Sequence, residues 1–147
     1  MTRIKQLGLL AMMIVAGAGV IAGAQTMKTA AKKPRVFFVD LKNNATVTSP
    51  VHLKFGSEGI EIAAVPPGDV KTTRPGIGHY HLGVEQGCLP TGQTIVKGTP
   101  QWVHFGDGKS EFDLQLTPGK HKLALQLGDD LHNTMPNTCT TISVTVK

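Results

Sequence analysis

The stretch EFDLQLTPGKHKLALQLGDD, residues 111–130, decides the fold. Phe112, Leu114 and Leu116 alternate with Glu111, Asp113 and Gln115, and the same period returns in Leu123, Leu125 and Leu127. A period of two sends successive side chains to opposite faces, so each run reads as a strand with one apolar face. Thr117-Pro118-Gly119 turns the chain between them, and Gly128-Asp129-Asp130 ends the second. Downstream, Ile142, Val144 and Val146 make a closing strand. Upstream, Trp102 to Phe105 forms a short strand before the turn signal Asp107-Gly108. Tyr80, Leu82 and Val84 alternate with His79, His81, Gly83 and Glu85; Val51, Leu53 and Phe55 alternate with His52 and Lys54; Val36 to Val39 opens the series before Asn43-Asn44. Seven short strands without a helical pattern or an internal repeat predict one all-β domain. Its expected architecture is an immunoglobulin-like, two-sheet antiparallel sandwich over residues 36–147. Two connections, Ser57 to Gly78 and Gln86 to Gln101, are long and rich in Pro and Gly.

The front of the chain reads as a secretory signal. Arg3 and Lys5 precede an uncharged, mostly apolar run from Leu7 to Ile21, and Ala22-Gly23-Ala24 is a small-x-small cleavage site. The run is shorter than the roughly 20 residues that span a bilayer, and no Cys stands at the cleavage point to take a lipid. The expectation is a signal-peptide helix over residues 1–24, cut near Ala24, and a periplasmic or secreted product without stable membrane insertion. Residues 25–35 then form a basic tail carrying Lys28, Lys32, Lys33 and Arg35. From Val36 onward nine Lys and Arg stand against ten Asp and Glu, so the formal charge of +5 belongs to the front of the chain. A tail of four cations without aromatics excludes a nucleic-acid partner.

His79-Tyr80-His81 carries the most chemistry. Period two places both imidazoles on the face opposite Tyr80 and Leu82, which makes them candidates for a polar sheet face rather than the core. They lie about 7 Å apart along a strand, close enough to share a cation. Alternating strand directions gather three more groups at the same end of the sandwich: His104 and Asp107, Asp129 and Asp130, and His132 with Met135. His79, His81, His104, His132 and Met135 are therefore the candidate ligand set. Imidazoles outside the cytoplasm suit Cu(II) or Zn(II), and a thioether would add a preference for Cu(I). His121, with the parity of Leu123, belongs at the opposite end as a packed, hydrogen-bonded histidine, and His52 reads as a surface residue.

An exported chain with two cysteines usually joins them. Yet Cys88 follows the third strand and Cys139 precedes the seventh, which sets them near opposite ends unless the segment after Cys88 doubles back. Two readings stand: a Cys88–Cys139 disulfide, or Cys139 as a soft ligand beside Met135 and His132.

Gly78-His79-Tyr80-His81-Leu82, His104-Phe105-Gly106-Asp107-Gly108, and Pro118-Gly119-Lys120-His121 through Leu127-Gly128-Asp129 to His132 resemble one family. It is an exported bacterial domain of unknown function with the pattern GHHHLL, then HFGGGQTE, then PGKHTLxLxLGDxxH. The resemblance spans Val36 to Lys147 and implies a small periplasmic β-domain, with no activity attached. Tyr80 departs from the pattern, and Met135 stands near where a second histidine commonly follows His132. The sandwich, the His-x-His strand and a disulfide near the last strand are also similar to copper–zinc superoxide dismutases. Here the segment from Cys88 to Trp102 holds no His or Asp, so the bridging imidazole and most zinc ligands of such an enzyme are missing. His132 to Met135 has a blue-copper spacing without the preceding Cys, and no hydrolase motif is present. No residue stands out as catalytic. The expected function is an envelope accessory protein binding copper or zinc; the alternative is an interaction module without metal that grips another envelope protein with the same loops, its histidines serving as ordinary polar contacts.

Overall fold

A computed structural model describes residues 32–147. The expected signal peptide and the tail up to residue 31 lie outside the described residues. Those described form nine strands and no helix: β1 (Arg35–Val39), β2 (Ala45–Val47), β3 (Val51–Glu58), β4 (Glu61–Ile62), β5 (Ile77–Val84), β6 (Trp102–His104), β7 (Glu111–Leu114), β8 (Gly119–Gly128) and β9 (Thr134–Val146). All seven expected strands are present. The two additions, β2 and β4, are short and pair in parallel with β9 and β5.

One sheet has the order β1-β3-β7 and the other β2-β9-β8-β5-β4, with β6 also on β5. Counting only the seven main strands, the first, second and fifth face the third, fourth, sixth and seventh, as in immunoglobulin-like sandwiches. The alternating residues meet between the sheets. Leu53, Leu82, Leu123, Leu125 and Leu127 have no exposure at all, and each such burial contributes about 1.5–3 kcal/mol. Phe55 sits at the centre of an aromatic group, with ring centroids 6.0 Å from Phe38, 5.3 Å from Tyr80 and 5.1 Å from Phe105.

The segment after β5 positions the site. Glu85 takes φ 57°, a left-handed conformation that reverses the chain. Residues 86–95 then run back over the outer face of the larger sheet as a strap. Gln126 of β8 fastens it twice, accepting from the Leu89 N–H and donating to the Leu89 carbonyl, both at 2.9 Å. Thr134 donates its hydroxyl to the Pro90 carbonyl and accepts the Gln93 N–H, and the Ile95 N–H donates to the His132 carbonyl at 2.8 Å. Ile95 packs with Trp102 and Ala124 as a second apolar cluster outside the main core.

This reversal joins the cysteines. Cys88 and Cys139 form a disulfide with Cα atoms 5.9 Å apart. The separation expected from strand order fails for two reasons: the strap doubles back, and β9 begins at Thr134, so Cys139 lies within the strand opposite Gln126. Cys139 is thereby removed as a thiolate ligand.

Candidate metal centre

Three pieces of local geometry bring four imidazoles together. His79 and His81 leave β5 on the face away from Tyr80 and Leu82. His104 is the cross-strand neighbour of His81 on β6, while His79 stands opposite Gly128 on β8. Beyond Gly128 the chain turns tightly. The Asp129 carboxylate accepts the N–H groups of Leu131 and Asn133, and the His132 N–H donates to the Asp129 carbonyl. His132 at the tip has φ 65°, a conformation costing a non-glycine residue roughly 1–2 kcal/mol. Such strain persists where surrounding contacts demand it, often at functional sites.

The Nε2 atoms of His79 and His104 lie 3.1 Å apart, and those of His104 and His132 lie 3.0 Å apart. One ligating nitrogen from each of the four rings falls within 4.8 Å of all the others. Nitrogens bound tetrahedrally at 2.0–2.1 Å would stand about 3.3 Å from one another, so the cluster needs only small shifts to close on an ion. Room for the rings depends on glycine. A Cβ at Gly128 would come within 2.7 Å of His81 Cε1, and one at Gly106 within 2.3 Å of His104 Cε1.

Period two placed His79 and His81 correctly away from the core, but not on a solvated face. Both have 0% exposure, packed against each other and against the rings of His104 and His132. Buried there, His79 Nδ1 and both ring nitrogens of His81 have no hydrogen-bond partner. An unpaired buried polar group costs about 1–3 kcal/mol, and such groups are uncommon in native proteins. Burial, reinforced by neighbouring imidazoles, pushes the His79 pKa down to about 3 and that of His81 to about 2. Burial also lowers His104 and His132, the former aided by His132 and the latter by Lys97. At neutral pH the site is thus four uncharged imidazoles, the form that binds metals. Among the described residues no other group of three or more His, Cys, Asp or Glu has this geometry.

The remaining residues sort cleanly. Met135 does not join the imidazoles. Thr134 directs its side chain to the strap, so Met135 points the other way, packs against the main core and places its sulfur over Gly78. His121 binds the Glu85 carboxylate at 2.7 Å and the Thr117 carbonyl at 2.8 Å, away from the cluster. His52 is exposed and pairs with Asp113 at 2.6 Å. Arg74 was not identified from sequence. It donates to both Asp130 carboxylate oxygens and to the Ala64 carbonyl, fixing the long connection before β5 against the Asp129–Asn133 turn. Its partner Asp130 is buried, and the bond to Arg74 holds that carboxyl below its usual range. Nothing in the spacing of the two residues, 56 apart, signals the pair.

A cleft of about 330 Å³ opens over the cluster, lined by His104, His132, Val65, Pro66, Lys97 and Leu131 among others. A larger hollow of about 420 Å³ between β1, β2 and β3 holds none of the four histidines. Fold and site together define a small β-sandwich with a buried four-imidazole centre. The chain belongs to the family described as domain of unknown function (DUF4399), which matches residues 53–147 and so includes every histidine of the cluster and both cysteines. No curated protein and no solved structure matches the chain.

Proposed function

We propose that this domain is an accessory protein of an oxidising, extracytoplasmic compartment that binds one copper or zinc ion through His79, His81, His104 and His132. The observation that carries the reading is the set of buried ring nitrogens left without partners inside a four-imidazole cluster. A bound ion takes one nitrogen from each ring, so it would engage one of the two unpaired nitrogens of His81, and the rings, already neutral, need lose no proton to receive it. Imidazole suits copper and zinc, whereas calcium and magnesium require oxygen ligands. With Met135 on the opposite face, the basis for a Cu(I) preference disappears, and Cu(II) and Zn(II) remain. The Cys88–Cys139 bond supports a compartment in which disulfides persist. The test is metal content of untagged protein purified from its own compartment, followed by equilibrium dialysis against each ion. One equivalent is expected, and none in the His79→Ala, His81→Ala double variant. Wild-type protein that retains neither ion after dialysis sinks the reading.

One observation favours the alternative, an envelope interaction module. Among the described residues, Val96 at 65% and Leu131 at 38% are large hydrophobics left exposed. Continuing the antiparallel register of the Thr94–Asn133 bridge sets them opposite one another beside the cleft. If that patch grips a protein, Val96→Asp with Leu131→Asp abolishes capture of a specific envelope partner while metal content stays unchanged. Equal capture by wild type and variant removes this reading.

A further inference from the structure

The cluster is not equally accessible from all sides. His79 and His81 are fully buried, whereas His104 and His132 form part of the cleft wall. Four rings close a tetrahedral zinc site, but Cu(II) prefers tetragonal coordination with room for a further ligand, and on an ion held by the four rings that position would face the cleft. The charges around that opening are unevenly spent. Asp130 is bound to Arg74, and Asp69 is paired with Lys71. Lys97 lines the cleft and has no ion-pair partner among the described residues. Its charge already bears on His104 and His132, lowering the affinity of both for a proton.

Resting on the metal reading above, we propose that the cleft is a binding site for a small monovalent anion, which ligates the metal between His104 and His132 and is charge-paired by Lys97. Two features set this class. A divalent ion bound only by neutral imidazoles keeps its full charge in a poorly solvated site, where an anionic ligand is strongly favoured. Val65, Pro66, Val70 and Leu131 make much of the wall apolar, Lys97 is the one cation in the lining, and the lining carboxylates Asp69 and Asp130 are each already held by another cation. No bond within the anion forms or breaks; the step is ligand addition.

The experiment uses full mature chain loaded with Cu(II), its copper content measured before and after each titration, and sodium azide as the probe at constant ionic strength. Wild-type protein should develop an azide-to-copper charge-transfer absorption together with a changed electron paramagnetic resonance spectrum. Lys97→Met should weaken azide binding per bound copper by roughly threefold to fivefold, the scale of one solvent-accessible ion pair, and Lys97→Arg should restore most of it. Copper-loaded protein whose spectra ignore azide overturns the anion site while leaving the metal reading intact. A response identical in wild type and Lys97→Met overturns the assignment of Lys97. Failure to load copper or any other ion removes both readings together.

Discussion

His81 is fully buried with neither ring nitrogen hydrogen-bonded, so it burdens the metal-free fold. Replacing a buried polar group by an apolar one of similar shape can stabilise a protein. In the presence of a chelator, His81→Leu should therefore raise unfolding free energy by about 1 kcal/mol while abolishing metal uptake, which urea denaturation and metal analysis would show. A loss of stability instead would mean that those nitrogens are satisfied. Gly128 makes the reverse case. A Cβ there would stand 2.7 Å from His81 Cε1, and Gly128→Ala should cost about 1–3 kcal/mol by overpacking and weaken metal binding at the same time. The residues of this centre were partly legible in sequence. Parity and strand direction bring His79, His81, His104 and His132 to one end, as found. Met135 was misplaced because a turn of unknown length hides the parity of whatever follows it.

At the level of elements, leucine alternation exposed β8 and the aromatic and β-branched runs exposed most of the others. The first half of β9 escaped, since Thr134 to Thr141 contains no apolar alternation and is held by its ladder to β8 and by the disulfide. The strap escaped for a different reason: its course hangs on the reversal at Glu85, and its fastenings are to Gln126 and Thr134, which advertise nothing in advance. Burial of the histidines was missed because parity assigns a face of the sheet and not the rings of His104 and His132 that pack onto it. The disulfide closes a separation of 51 residues, and removing it through Cys88→Ser with Cys139→Ser should cost about 3–4 kcal/mol. Beyond that global loss, the amides of Leu89, Gln93 and Ile95 should lose hydrogen-exchange protection more than those of β3. Uniform protection loss across both sheets would show that the strap has no independent opening.

For the whole molecule, pH acts on two histidine populations with opposite sign. His79 and His81 have folded pKa values near 3 and 2, below the ordinary 6.5. The unfolded chain therefore binds protons that the metal-free fold excludes, and stability falls as pH drops from about 6.5 toward those values. Each group contributes at most about 1.4 kcal/mol per pH unit. His121 is raised, chiefly by the Thr117 carbonyl and then by Glu85, so its contribution is complete below about 6.5 and fades as pH climbs through its folded value. Metal-free protein should accordingly lose chemical stability steeply between pH 6 and 4, and the His79→Ala, His81→Ala variant should show a shallower slope. Equal slopes would place the buried charge elsewhere. Strand length bears on the molecule's behaviour in company. The edge strands β1, β7, β2, β4 and β6 are short, of five, four, three, two and three residues, but β9, of thirteen, has β2 beside it only at Val144 to Val146, so its stretch from Thr134 to Ile142 is paired on one side alone, by β8. Long exposed edges recruit strands from other chains, and short ones offer too few backbone groups to do so. Crowded with unfolded neighbours, this sandwich presents one such template, the free side of β9, and little elsewhere.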